Sequence, residues 1–160
     1  MPDLVLRDAT PADIDALSLL ETHAFDGDRL SRRSFRRLAG APGAALRVAR
    51  NKGRLAGYTL ILFRTGSRLA RLYSIAVDPE ARGVGLGARL LMDAEMTATK
   101  RGSQGLRLEV RADNAPAIAL YRRRGYEPDG ARDNYYGDGA TALRFLKRLG
   151  GGDGPRTGKR

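Results

Sequence analysis

No cysteine occurs in the 160 residues, which excludes disulfides, thiolate metal sites and a cysteine nucleophile. The single histidine, His23, is too little for a histidine-based metal cluster, and no metal is expected. Tryptophan is absent and aromatic residues make up only 6% of the chain. Without basic runs interleaved with aromatics, a base-stacking module has little support, and direct nucleic-acid binding is not expected. No apolar run is long enough to cross a bilayer. The N-terminus, MPDLVLRDATPADID, carries acids where a secretory signal is basic and then apolar. The expectation is a cytoplasmic protein with no membrane partner.

The length suits one domain with one core, and 42% hydrophobic residues suffice to fold it. Twenty-nine lysines and arginines against eighteen acids give a net charge of +11. That excess favours acidic partners: nucleic acid, a ribosome surface or a phosphate-bearing cofactor. Residues 150–160, GGGDGPRTGKR, read as a flexible basic tail beyond a single domain over 1–149.

Periodicity orders the elements. LVLRDAT (4–10) alternates as a first strand. Thr10 and Pro11 then open a helix with Ile14, Leu17 and Leu20 on its apolar stripe. A second short helix begins near Ser31, turning Phe35 and Leu38 inward and Arg32, Arg33, Arg36 and Arg37 outward; Gly40 and Pro42 stop it. Its arginines are either a solvated face or a guide for anionic partners. His23 reads as a helix-end residue. Strands at 44–50 and 55–64 flank the hairpin signal NKGR. A central strand at 69–78 follows the turn TGSR. A helix with Leu86, Leu90, Ala94 and Ala98 at four-residue spacing comes next. A strand over 106–111, a short helix from Asn114 to about Arg124, and a last strand or strands ending in 141–149 complete the chain. Hairpins come first and βα units later, which is a mixed α/β layout with a largely antiparallel first half.

Two stretches carry chemistry. RGVGLG, Arg82 to Gly87, lies between an apolar strand and an apolar helix. A helix N-terminus offers amide N–H groups and positive potential, and glycines allow close approach, so the turn suits a phosphate or pyrophosphate. Arg82 can add a charge-assisted contact. The glycine register is wrong for a dinucleotide fingerprint, and the Gly-Lys-Ser/Thr of a Walker loop is missing. The plain alternative is a tight corner with no ligand. In LRLEVRADNAPAIALYRRRGY, 106–126, alternation sets Glu109 on the face opposite Leu106, Leu108 and Val110. A carboxylate in a cleft can act as general base, directly or through a water. The alternative is a surface glutamate paired with a neighbouring arginine. Tyr121 can donate a proton in a site, or can be core with a satisfied hydroxyl.

Together the two stretches resemble the GNAT superfamily of acetyl-CoA-dependent N-acetyltransferases. Arg82, Gly85 and Gly87 match its Q/R-x-x-G-x-G/A motif. Asn114, Ala117, Tyr121, Gly125 and Tyr126 match its N-x-x-A-x-x-x-Y-x-x-x-G-F/Y signature. The resemblance implies a central twisted sheet of about six to seven strands, with helices on both faces and splayed central strands. It implies acetyl-CoA as cosubstrate. Backbone of Ile75, Ala76 and Val77 would hold the pantetheine arm. Amides of Arg82, Gly83, Val84, Gly85, Leu86, Gly87 and Ala88 would hold the pyrophosphate. Asn114 and Ala117 would contact the coenzyme, and Tyr121 would protonate the departing thiolate.

The run from LEVRADN to RDNYY (132–136) is similar to the bacterial ribosomal-protein N-terminal-alanine acetyltransferases. That branch implies Glu109 as base through water, with Tyr135 and Tyr136 lining the acceptor groove or simply packing their loop. The implied activity is acetyl transfer to a protein N-terminal amine by direct attack in a ternary complex. Lysine side chains or small amines are alternative acceptors. A non-catalytic module binding coenzyme A or a ribonucleoprotein is an alternative of another class. A monomer or a homodimer is expected.

Overall fold

The computed structural model describes residues 3–83 and 85–150. Strands β1 (Leu4–Asp8), β2 (Ala44–Asn51), β3 (Arg54–Leu62), β4 (Leu69–Val77), β5 (Gly105–Arg111), β6 (Glu127–Arg132) and β7 (Ala142–Arg148) alternate with four helices. These are α1 (Ile14–Ala24) and α2 (Arg32–Leu38) between β1 and β2, α3 (Leu86–Lys100) after β4, and α4 (Ala115–Arg123) after β5. The strands form one open seven-stranded sheet in the order β1-β2-β3-β4-β5-β7-β6. This is the mixed α/β layout that the periodicity predicts. No helix among the described residues is long and apolar enough to cross a membrane. Two compact units divide the chain: residues up to Leu62 with Leu72–Ala94, and Phe63–Arg71 with residues from Glu95 on.

In the first unit β1 runs antiparallel to β2, and β2 to β3. The β2–β3 turn needs positive φ at two successive residues, and Lys52 and Gly53 supply it at 55° and 80°. That is the two-residue turn whose twist matches a hairpin. Leu46, Val48, Tyr58 and Leu60 meet Leu17, Leu20, Phe35 and Leu38 of α1 and α2 in one cluster. Ala49 and Ala56 meet Leu86 and Leu90 of α3 in another. Ser31 caps α2 by accepting the Ser34 N–H at 3.0 Å, as its sequence position requires. Glu21, only 2% exposed, accepts the Leu30 N–H at 2.7 Å and the Tyr58 hydroxyl proton at 2.5 Å. The Tyr58 hydroxyl also lies 2.8 Å from Ser74 Oγ. A buried carboxylate thereby ties the segment joining α1 and α2 to β3.

In the second unit β5 and β6 both pair antiparallel with β7. Tyr121 packs edge-on against Tyr126 at 5.8 Å and lies 6.4 Å from Phe145. Tyr126 donates to Glu95 Oε2 at 2.8 Å, and Lys147 holds the other Glu95 oxygen at 3.1 Å. Strand β6 is the element that pattern reading leaves undefined, and its sequence EPDGAR carries Pro128 and Gly130. All six residues are exposed, and the β6–β7 register shifts between Pro128 and Ala131. An edge strand tolerates proline and a bulge because one side of its ladder faces water. Strand β3 also ends at Leu62, two residues short of the span read from sequence. Of the proposed tail, residues 151–160 lie outside the described residues.

Candidate active site

The glycine turn belongs to the first unit. Strand β4 ends at Val77, and Asp78 caps a single 3₁₀ turn, Pro79–Ala81, by accepting the Glu80 N–H at 3.1 Å. Gly83 and Gly85 follow with φ of 88° and 77°, a region that disfavours side chains. Open space lies where a Cβ on either would stand. In α3 the Arg89 N–H bonds the Gly85 carbonyl at 3.1 Å. Leu86, Gly87 and Ala88 open α3, and the first turn of a helix is its positive end. Arg82 is exposed beside them; Val84 lies outside the described residues. In the preceding strand Ala76 is buried and Ile75 and Val77 are half-buried. Glycine at position 57 matters here: a Cβ would stand 2.7 Å from the Ala76 carbonyl oxygen and 2.8 Å from Leu90 Cδ1. Gly57 lets β4 backbone and α3 close on β3.

The second unit holds Glu109 and Tyr121, the two residues for which acid–base roles are expected. Alternation along β5 buries Leu106, Leu108 and Val110 and turns Glu109 to the other face, as the sequence requires. The Glu109 side chain is 9% exposed, so it is not a surface group. It is nevertheless paired, and with two arginines. Arg71 Nε donates to Oε1 at 3.0 Å, and Arg144 Nε stands 3.7 Å from Oε2. Arg144 sits directly opposite Glu109 across the β5–β7 ladder. The pairing alternative is right about the partners' chemistry and wrong about the exposure.

Arg71 also donates from Nη2 to the Tyr135 hydroxyl, so Glu109 and Tyr135 share one guanidinium. Tyr135 packs edge-on against Tyr136 at 5.1 Å. Arg111 lies over the Tyr136 ring at 5.2 Å and bonds Asp113 and Asp138. The two tyrosines thus pack their loop, and through Arg71 that loop is wired to Glu109.

Asn114 caps α4, its Oδ1 accepting the Ala117 N–H at 3.2 Å, as expected of its position. Tyr121, on the same helix, is 5% exposed. Burial, with Tyr136 nearby, pushes its phenol up to about 12, so it keeps its proton at neutral pH. No protein group among the described residues hydrogen-bonds the Tyr121 hydroxyl, so that proton is uncommitted. Sequence reasoning missed Arg71 and Arg144. Each is an arginine inside an otherwise apolar strand run, LARLYS and ALRFLKR, and that anomaly was the available signal.

Residues 13–126 match the acetyltransferase (GNAT) family. The chain belongs to this family. Two relatives and one solved structure place it further. An uncharacterized protein of Mycobacterium leprae, ML0378, is 42% identical over 149 residues, which cover 91% of this chain and 40% of that protein. The chain thus spans well under half of that relative's length. The N-alpha-acetyltransferase RimI of Mycobacterium tuberculosis is 38% identical over 145 residues, covering 88% of this chain and 90% of the relative. Among structures, the ribosomal-protein-S18-alanine N-acetyltransferase of Escherichia coli superposes with a TM-score of 0.83 at 28% identity, covering 98% of this chain and 99% of that one. This GNAT protein therefore has the fold of an N-acetyltransferase and residues of suitable chemistry at both proposed acid–base positions.

Proposed function

We propose that this GNAT protein transfers acetyl from acetyl-CoA to a protein N-terminal α-amine by direct attack in a ternary complex. The observation that carries the chemistry is Tyr121: its side chain is buried, its hydroxyl has no hydrogen-bond partner among the described residues, and burial keeps it protonated at neutral pH. Such a group can give up a proton only to something that enters the site. A departing thiolate fits that role. The N-terminal acceptor is supported by the names of the M. tuberculosis and E. coli relatives.

The glycine turn fits the anionic end of acetyl-CoA, because its α3 amides lead the helix and open space adjoins Gly83 and Gly85. Amides of Arg82 to Ala88 would hold the pyrophosphate. Backbone of Ile75 to Val77 would hold the pantetheine arm. The Asn114 side-chain amide, whose oxygen already serves as a cap, and Ala117 would contact the coenzyme. The thioester supplies an activated acyl group and a good leaving group. Glu109, through a water, takes the proton from the incoming ammonium, leaving a neutral amine. Tyr121 then protonates the sulfur as the amide forms. Tyr135 and Tyr136 flank the acceptor.

The test is thiol release against N-terminal peptides, lysine peptides and small amines. Turnover is expected on N-terminal peptides. Glu109→Gln and Tyr121→Phe should each lose about 10²-fold or more in kcat with the fold intact. Wild-type turnover in both variants overturns the mechanism. Turnover confined to lysine peptides or small amines moves the acceptor to those classes. Acetyl-CoA binding by calorimetry without release on any amine makes the protein a binding module.

A further inference from the structure

We propose that Arg144 is a positioning residue: its Nε–H and Glu109 Oε2 together hold the water through which Glu109 takes the acceptor's proton. The inference rests on Glu109 being the base.

The two oxygens of Glu109 are not equivalent. Oε1 is held at 3.0 Å by Arg71 Nε, and the same guanidinium is anchored on Tyr135. That double attachment fixes the carboxylate's rotation. Oε2 is left facing Arg144 Nε at 3.7 Å, beyond direct hydrogen-bond reach. Arg144 Nε is itself buried, with no hydrogen-bond partner among the described residues. A buried N–H without a partner is costly, on the order of 1–3 kcal/mol, and proteins seldom leave one so. A charged donor and a carboxylate oxygen just too far apart to bond are the two ends a bridging water requires. A water to one side of the pair accepts from Arg144 Nε–H and donates to Glu109 Oε2.

That arrangement leaves the water's second lone pair for the acceptor ammonium. When the ammonium N–H breaks, its proton goes to the water. The water's own proton passes to Oε2, and the freed lone pair on nitrogen becomes the nucleophile. One proton has moved from ammonium to Glu109, which later returns it to solvent. Arg144 changes no bond; it sets where the water sits and which oxygen receives the proton.

The experiment compares Arg144→Met, Arg144→Lys and Glu109→Gln in the full-length protein, with thermal melting to verify folding and steady-state kinetics on an N-terminal peptide. Arg144→Met keeps the stem and removes the donor. Its kcat should fall about tenfold or more while both KM values stay within about twofold, because water placement acts on the chemical step. Arg144→Lys restores a cationic donor and should return kcat to within about threefold of wild type. A normal kcat in Arg144→Met overturns the proposal, and so does a loss confined to KM or an equal loss in the lysine variant. If Arg144→Met does not fold, the lysine variant decides alone: wild-type-like kcat supports the proposal and a tenfold loss overturns it. Wild-type turnover in Glu109→Gln removes the base assignment itself. Loss in Glu109→Gln with normal Arg144→Met removes only the role of Arg144.

Discussion

A buried carboxylate survives only if cations and N–H groups replace the water it gives up, and Asp13 and Glu21 meet that condition differently. Asp13 is 1% exposed and receives Arg7 at 2.8 and 3.0 Å, Arg50 at 2.8 and 3.1 Å, and the Thr10 N–H at 2.8 Å. The Arg7 guanidinium above all, with Thr10 and Arg50, holds its carboxyl well below the usual range against the opposing effect of burial. Glu21 meets only neutral donors, and burial pushes its carboxyl up. A depressed folded value stabilises above the unfolded value, about 3.9 for aspartate, and the benefit disappears as pH falls toward the folded value. Asp13→Asn should therefore cost about 3 kcal/mol at neutral pH. In melts from pH 8 down to 2, the gap to wild type should hold steady to about pH 5 and close below about pH 4. The sequence shows Asp13 only as an acid near a helix start. Its arginines come from β1 and β2, and nothing local announces them.

Elements differ in what their glycines do, and substitution separates the roles. Gly57 sits against fixed backbone and a core leucine, so Gly57→Ala should destabilise by about 2 kcal/mol or more in denaturant melts. Gly85 borders open space, and only its φ of 77° resists a side chain. Gly85→Ala should cost about 1 kcal/mol of stability. Its larger effect should be a rise in KM for acetyl-CoA of about tenfold, because the turn is the proposed anion site. Equal melting of the two variants, with no change in KM for Gly85→Ala, contradicts this division. The turn at Gly83–Gly87 was readable because its motif spans six residues. The close approach at Gly57 was not, because its neighbours Ala76 and Leu90 lie far along the chain. Strand β6 was unreadable for a related reason: pairing with β7 makes EPDGAR a strand against the preference of its residues.

At the scale of the whole molecule the net charge of +11 should act on encounter more than on chemistry. Acetyl-CoA is anionic, so raising salt from low to high should raise its KM by about threefold to tenfold while kcat changes little. A salt-independent KM makes the excess of arginine irrelevant to cosubstrate capture. The four arginines of α2 belong to this field: Arg33, Arg36 and Arg37 are exposed, and Arg32 pairs with Asp15.

The sequence by itself determined the order of strands and helices as far as α4, the glycine turn ahead of α3, the Asn114 cap, and the faces of β5 on which Glu109 and its apolar neighbours lie. Each of these depends on residues within a turn or two of one another, where spacing translates directly into geometry. The tertiary structure alone decided what surrounds Glu109. Arg71 lies 38 residues away in sequence, and Arg144 reaches Glu109 only through the β5–β7 register. A strand's neighbour follows from how the sheet closes, and one residue of slip would put a different side chain opposite that carboxylate.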